Sequence, residues 1–367
     1  MIYMDNASTT YVYPECILEI EEILNKHWGN PSNTYAFGQE SKEIIENSKK
    51  ILADLINASP EEIFFTSGAS EGNALAINQS FTTFCSPFEH HNYLDNPHTE
   101  IIEDDKVLSF EDFGPDGAYA HMLISNETGE EFLYVPKFFE YVKSKGGLTI
   151  CDCTQAFGHM RIDIKEIGCD IAIFSGHKFH APKGIGFVYI NKEIQSKIHP
   201  IIFGTQQTGL RGGTENVPYI AALATAAKKT MDNFPSTHLT CGLLTAVAYK
   251  RLNYYIENED LPVFFTFPLL KDWTVSTFHF CLKNVESELI QSVLSSDYNI
   301  YIGIGSGCSD GSFEVNKTLK AKGVPEEFIR GPIRLSFSDK NTEEEVVEVI
   351  DKIVEVYHKV KQSAPKD

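Results

Sequence analysis

The sequence predicts an α/β fold: a large domain with a mostly parallel β-sheet covered by helices, followed by a smaller C-terminal α+β domain. Two observations support this prediction. Short β-rich segments alternate with amphipathic helical segments over the first two thirds of the chain, which is typical of parallel strands joined by crossover helices. After about residue 257 the alternation changes, so we predict a domain boundary near residues 256–262 of the 367.

The individual elements follow from the spacing of apolar residues. Apolar residues that recur every three to four positions predict helices over 14–28, 39–56, 135–145, 217–231, 243–256, 286–294 and 342–360. Runs rich in β-branched and aromatic residues predict strands at 63–66, 106–110, 120–125, 148–151, 171–174, 186–190, 273–282 and 333–337. Glutamates at 343–345 fall in the first turn of the last helix, where the helix dipole favours negative charge.

Composition excludes several classes of function. The chain has 31 Lys and Arg against 51 Asp and Glu, a formal net charge of −20, which repels nucleic acid and anionic membranes. We find no apolar run long enough to span a membrane and no export signal. Eight cysteines in such a chain are typical of reduced thiols, so we expect a cytoplasmic protein. Their spacing completes no zinc set, so we expect no metal site.

One candidate site is the small-residue turn within residues 65–73 (FTSGASEGN), where a predicted strand ends and a helix begins. Backbone N–H groups in such a turn approach an anion closely, and the helix N-terminus adds partial positive charge. Ser70 is therefore either an ordinary N-cap or a hydroxyl that binds a phosphate.

Two polar side chains directly follow buried strands. Lys178 comes after the strand at 171–174, and Asp152 after the strand at 148–151. Open α/β sheets bind ligands at the carboxyl ends of their strands. A poorly hydrated lysine there is a usable nucleophile for a carbonyl group. Asp152 is either a helix N-cap or an acid that keeps a pyridinium nitrogen protonated.

A cysteine lies in a segment rich in glycine and serine. Residues 303–312 (GIGSGCSDGS) hold four glycines, and this density predicts a loop around Cys308. A thiol on such a loop is a candidate nucleophile that the loop carries between two positions. The alternative is an incidental loop thiol.

These segments occur in one order with several others. The further motifs are DNASTT at 5–10, GNPS at 29–32, SPFEH at 86–90, NETG at 126–129, DCTQ at 152–155, SGHK at 175–178, RGGTENVP at 211–218 and IRLS at 333–336. Together they resemble the cysteine desulfurases of the NifS/IscS type, which are fold-type I enzymes dependent on pyridoxal 5'-phosphate (PLP). The resemblance implies a seven-stranded sheet in a large domain over 15–257, a small domain over 258–367 and a segment 1–14 that packs with the small domain.

The resemblance also implies how the cofactor is held. Lys178 would bond to PLP and move the substrate Cα proton, and Asp152 would pair with the pyridinium nitrogen. His90 would stack on the ring and take part in proton transfer. The other implied cofactor-binding residues are Ala69, Ser70, Gln155, Ser175, His177 and Thr214. Thr214 would reach in from the partner subunit, which implies a homodimer.

The implied substrate is L-cysteine. Arg334 would grip its carboxylate, assisted by Asn126 and Asn30. Cys308 would attack the substrate sulfur, which leaves a persulfide on the enzyme and releases L-alanine. The sulfur would then pass to an acceptor protein in iron–sulfur cluster assembly, tRNA thiolation or another pathway.

Some residues depart from the family pattern. Residues 203–208 (FGTQQT) replace a glycine-rich stretch that usually ends in an arginine near the phosphate, and the segment between His90 and Asn126 is shorter than usual. Three alternatives therefore stay open: a selenocysteine lyase, another PLP-dependent enzyme of this fold, and a catalytically degenerate scaffold. The presence together of Lys178, Asp152, His90 and Cys308 argues against the scaffold.

Overall fold

A computed structural model describes residues 1–79, 82–102, 117–266, 275–305 and 317–363. The strands in these ranges are β1 (Ile2–Met4), β2 (Ile63–Thr66), β3 (Thr83–Cys85), β4 (Thr99–Ile101), β5 (Ala118–Met122), β6 (Leu148–Asp152), β7 (Ile171–Ser175), β8 (Gly186–Ile190), β9 (Val263–Phe265), β10 (Thr277–Leu282), β11 (Ile300–Ile302) and β12 (Pro332–Ser336). The α-helices are α1 (Pro14–Lys26), α2 (Ala36–Leu55), α3 (Ala69–Ile77), α4 (His91–Leu94), α5 (Val135–Ser144), α6 (Ile164–Ile167), α7 (Val217–Glu259), α8 (Ser287–Tyr298), α9 (Lys317–Ala321) and α10 (Glu343–Ser363).

The chain divides into two units. The sheet unit comprises Thr10–Ile124 and Phe132–Asn233, and the terminal unit comprises Met1–Thr9, Ser125–Glu131 and Phe234–Asp367. The division after Asn233 falls inside α7 and not near residues 256–262. The domain limits at 1–14, 15–257 and 258–367 stay a prediction.

The sheet unit is built on seven strands in the order β2-β8-β7-β6-β5-β3-β4. The pairs from β7 through β4 are parallel, and β8 is antiparallel to both of its neighbours. Alternate residues of β7 enter two different apolar clusters, Phe174 in one and Ile173 in the other. Helices α2 and α5 contribute to the first cluster and α3 to the second, so apolar side chains cover both faces. The predicted mostly parallel seven-stranded α/β fold is confirmed.

The terminal unit is a smaller α+β assembly. Strand β10 pairs antiparallel with β9 and with β12, and β1 pairs parallel with β11. Residues of α8 and α10, together with those of β10 and β12, form its main apolar cluster. The first residues of the chain therefore belong to the same unit as residues beyond 300.

The predicted helices at 217–231 and 243–256 are one helix, α7, which has Pro235 in its interior. Residues 232–240 are exposed or half-buried. Apolar periodicity appears only where a helix packs on a core, so the pattern stops here although the helix continues. Among the described residues, no helix is both long enough and apolar enough to cross a membrane.

Candidate active site

The turn between β2 and α3 is shaped for close backbone approach. Gly68 precedes the first residue of α3 with φ +149°, a conformation that side-chain-bearing residues rarely adopt. A Cβ at Gly68 would lie 3.6 Å from Ser175 Oγ, and a Cβ at Gly186 would lie 2.9 Å from Gly68 Cα. Ala69 and Ser70 form the first turn of the helix, where Ser70 is exposed. The turn and Ser175 are thus brought together.

An ion pair holds this turn in place. Glu71 accepts from Arg211 Nε at 2.8 Å and from the Ser67 N–H at 2.8 Å. Burial raises the pKa of Glu71, but these hydrogen bonds outweigh it, so the pKa lies below its ordinary value. The sequence analysis missed this pair, although both residues lie in its motifs.

Lys178 ends a single turn of 3-10 helix, Gly176–Lys178, that follows β7, and its side chain is half-buried. A Cβ at Gly176 would lie 2.7 Å from Leu223 Cδ1, so only glycine fits there. The His177 carbonyl accepts from both the N–H and the hydroxyl of Thr10, each at 3.0 Å. This network fixes the loop that carries the lysine.

Asp152 is the last residue of β6 and is buried, with 6% of its surface exposed. Its Oδ1 accepts from the Thr154 N–H at 2.8 Å, so it does stabilise the local turn. Its charge also raises the pKa values of His90 and Glu89, which places it electrostatically beside the loop that precedes α4. Gln155 lies three residues on and is buried.

His90 lies just before α4, and its Nδ1 accepts from the Asn92 N–H at 3.2 Å. The neutral imidazole therefore carries its proton on Nε2. Partial burial lowers the pKa of His90; the charges of His91 and Lys178 lower it further, and that of Asp152 opposes them. Asp152 and Lys178 thus both act electrostatically on His90 at the strand ends of the sheet unit.

His177 follows Ser175 on the lysine loop. Burial lowers the pKa of His177 to about 4, and the charges of Lys178 and Lys183 contribute. The imidazole is therefore neutral near pH 7, and it donates or accepts a hydrogen bond without adding charge.

Thr214 and Asn30 lie in exposed segments of the same unit. Thr214 follows Gly213, whose N–H donates to Gln206 Oε1 at 3.0 Å. The Asn30 Oδ1 accepts from the Ser32 N–H at 2.9 Å within its own turn.

Arg334 belongs to the terminal unit, where it lies buried on β12. Its Nη2 donates to Asp5 Oδ1 at 2.8 Å and to Ser8 Oγ at 2.7 Å, and its Nη1 donates to the Asn126 carbonyl. Within the described residues, Nε is buried and has no hydrogen-bond partner. The structure therefore brings Arg334 and Asn126 together through the backbone of Asn126. Asp5 is a partner that the sequence analysis did not single out.

Gly303 lies against the guanidinium group. A Cβ at this position would be 2.8 Å from both Nε and Nη2 of Arg334. Cys308, the candidate nucleophile, is outside the described residues.

The sequence of this chain matches one family model and known proteins over most of its length. The family model for aminotransferase class-V matches residues 2–91 and 117–349. Cysteine desulfurase IscS of Clostridium botulinum is 31% identical over an alignment of 388 positions. The alignment covers 96% of this chain and 94% of that protein. Cysteine desulfurase IscS of Methanosarcina thermophila is 30% identical over 398 residues, with 99% and 94% covered.

Solved structures agree on the fold. A NifS-like protein superposes with a TM-score of 0.83 at 27% identity and covers 97% of this chain and 99% of its own. A NifS-like protein from Rickettsia africae superposes with a TM-score of 0.86 at 24% identity, with 98% and 99% covered. The chain therefore belongs to the class-V aminotransferase family and, within it, to the cysteine desulfurases.

Proposed function

We propose that this enzyme converts L-cysteine to L-alanine and takes the sulfur onto Cys308 as a persulfide. Cysteine desulfurases depend on PLP, and the observation that carries the proposal is that Asp152 and Lys178, both at strand ends of the sheet, lie close enough to His90 for their charges to act on it. A half-buried amine, a buried carboxylate and an imidazole are the groups that hold and orient this cofactor.

The residues present fit PLP. The Gly68 turn gives the phosphate an approach to the N–H groups of Ala69 and Ser70, and the hydroxyl of Ser175 lies beside that turn. His177 adds a neutral imidazole to the phosphate ligands. Glu71 engages Arg211 in an ion pair, so this arginine does not replace the one missing from residues 203–208.

The catalytic residues act around the ring. When bound, the protonated ring of PLP is an electron sink that stabilises negative charge at the substrate Cα. Asp152 keeps the ring nitrogen protonated, and Gln155 bonds the ring oxygen. Lys178 holds the cofactor and moves the Cα proton on its Nζ. His90 would contact the ring and take part in proton transfer, and its Nδ1 accepts from the Asn92 N–H, which leaves Nε2 to hold a proton.

Arg334 selects a substrate that carries a carboxylate. Its Nε is a buried donor without a partner among the described residues, and leaving a charged donor unpaired is costly. A substrate carboxylate supplies that partner in a charge-assisted hydrogen bond. Asn126 and Asn30 assist in holding the substrate.

Cys308 accepts the sulfur. As thiolate it attacks the substrate sulfur; an S–S bond forms, and the C–S bond breaks with its electron pair left on the carbon side. Protonation of that side yields L-alanine. The persulfide sulfur then passes to an acceptor protein that serves iron–sulfur cluster assembly, tRNA thiolation or another pathway.

We further propose a homodimer in which Thr214 reaches the phosphate site of the partner subunit. Thr214 is exposed, and the nearby Phe203, which precedes it on the same loop, leaves 84% of its surface exposed. An exposed aromatic residue beside a candidate ligand supports a protein partner at this loop. We place the enzyme in the cytoplasm, because the seven cysteines that the structure describes are free thiols.

Alanine release from L-cysteine by the PLP-loaded protein tests the function. We expect wild type to release alanine and Cys308→Ala to lose roughly a hundredfold or more of that activity. Cys281→Ala is the control, because it removes a buried thiol of the terminal unit.

Other outcomes separate the alternatives. Equal alanine release by wild type and Cys308→Ala would indicate a lyase that bypasses the thiol, and selenocysteine would then be the substrate to compare. A protein that binds no PLP and releases no alanine would indicate a scaffold.

A further inference from the structure

Glu89 is a buried acid that the proposed mechanism does not use. It immediately precedes His90 and leaves only 2% of its surface exposed. Its Oε1 accepts from the Met122 N–H at 2.6 Å and from Ser86 Oγ at 3.1 Å. Its Oε2 is buried and has no hydrogen-bond partner in the part of the chain that the structure describes.

The hydrogen bond to Met122 links two parts of the cofactor site. Met122 is the last residue of β5 and is the register partner of Asp152, the last residue of β6. Glu89 therefore ties the loop that carries His90 to the strand ends that carry Asp152. A change in this bond moves the imidazole relative to the carboxylate.

We propose that Glu89 is a positioning residue of the cofactor site, which fixes His90 relative to Asp152 through its hydrogen bond to the end of β5. The inference rests on the proposed function, because it takes His90 and Asp152 to be residues that hold PLP.

The surroundings of Glu89 favour its neutral form. Burial and the charge of Asp152 raise the pKa of Glu89 to about 8, and its two hydrogen bonds oppose the rise only in part. His121 Nδ1 lies 3.9 Å from Glu89 Oε1, but burial lowers the pKa of His121 to about 4, so it offers no positive charge near pH 7. Tyr93 of α4 also faces the pair, and burial raises its pKa well above the ordinary value.

The two oxygens of the neutral acid have different roles. Oε1 accepts two hydrogen bonds, so the proton lies on Oε2. A glutamine in this position keeps the acceptor and replaces the O–H by an N–H, whereas alanine removes both and leaves the buried Met122 N–H unpaired.

The first test measures the PLP dissociation constant of the full-length protein near neutral pH. We expect Glu89→Gln to bind PLP within about threefold of wild type, and Glu89→Ala to bind about tenfold or more weakly. The matched control is Asp170→Ala. Asp170 is also buried, with 6% of its surface exposed, and it accepts from the N–H and hydroxyl of Thr149 near the start of β6, away from the end that carries Asp152; it also forms an ion pair with Lys143.

We expect the control to lower thermal stability and leave PLP affinity within about threefold of wild type. Wild-type affinity in Glu89→Ala, or an equal loss in Asp170→Ala, would overturn the inference. Failure of wild type itself to bind PLP would instead overturn the proposed function.

The second test is the pH dependence of the melting temperature. The folded-state pKa of about 8 lies above the ordinary 4.5, so between these values the folded protein binds one proton more than the unfolded chain. Stability from Glu89 is present at low pH and is lost as pH rises towards about 8. Glu89→Gln lacks this loss. The melting temperature of the variant minus that of wild type should therefore increase as pH rises from 4.5 to about 8. A constant difference would contradict the inference.

Discussion

Arg334 donates to three oxygens of its own unit, those of Asp5, Ser8 and the Asn126 backbone. A guanidinium group has five N–H donors, so these bonds fix its plane and leave others for a ligand. In the proposed role of Arg334, fixing the plane beforehand reduces the entropy that binding of a substrate carboxylate would otherwise lose. The Asp5 carboxylate also balances the charge of a buried cation.

At the residue scale, Gly303→Ala should impair substrate binding more than folding. The added Cβ would lie 2.8 Å from Arg334 Nε and 2.7 Å from Asp5 Oδ1, so it displaces the guanidinium. Gly303 is not among the glycines with positive φ, so the backbone accepts alanine. We expect the KM for cysteine to rise about tenfold with a smaller change in kcat.

Steady-state kinetics measure this effect. Gly242→Ala in α7 is the control, because its Cβ would meet only Val275 at an ordinary 3.8 Å. An unchanged KM in Gly303→Ala would refute the assignment of Arg334 to the substrate carboxylate.

At the scale of the element, β2 is the edge strand of the seven-stranded sheet, and a side chain completes its pairing. The Gln207 amide accepts from the Phe65 N–H at 2.6 Å and donates to the Phe65 carbonyl at 3.0 Å. This capping protects the strand that leads into the turn at Gly68. Gln207 and Thr208 have positive φ, a strained conformation for such residues. This conformation directs the Gln207 side-chain amide towards the Phe65 backbone.

Gln207→Ala should therefore destabilise the protein. It removes both bonds and leaves the buried Phe65 backbone unpaired, which lowers the free energy of unfolding by about 1–3 kcal/mol. Urea denaturation measures the loss. Gln206→Ala removes an exposed bond to Gly213 and should change the stability far less; equal losses in the two variants would contradict the prediction.

Most of the strands that the sequence did not predict are very short. The centre of the sheet was predictable because β6, β7 and β8 are apolar runs bounded by turn residues. The count of seven strands came from the family resemblance, and the predicted strand at 106–110 lies outside the described residues. Strand β4 has three residues, none fully buried, so it lacks an apolar pattern. Strand β1 is as short, and its pairing with β11 depends on a partner almost 300 residues away.

The candidate site was predictable in part. Motifs singled out the candidate residues, and the roles of these residues stay predictions. Asp5, Glu71 and Glu89 lie within the motifs, but the sequence does not show which residues they contact, because those partners are distant in the chain.

At the scale of the whole molecule, buried neutral histidines make stability sensitive to acid. Burial lowers the pKa of His121 to about 4 and that of His279 to about 3, and it lowers the pKa of His177 to about 4. The unfolded chain protonates each of them near the ordinary 6.5, well before the folded protein does. Their contribution to stability is present above this value and is lost as pH falls.

The free energy of unfolding should therefore fall as pH decreases from about 6.5 to about 4. A single fully buried histidine such as His121 contributes up to about 3 kcal/mol of the loss. Urea unfolding at several pH values measures the slope, and His279→Gln should reduce it. A stability that does not change over this range would contradict the prediction.

The pairing of the first strand with residues beyond 300 has a consequence for protein synthesis. Asp5 and Arg334 are 329 residues apart, so the ribosome makes the arginine on the order of 20–60 s after the aspartate. Within that interval, all seven strands of the sheet unit are synthesised before the residues of β11 and β12 with which residues 2–8 pair. A translation product that stops before β12 can thus hold an intact sheet and still lack the arginine that would recognise the substrate.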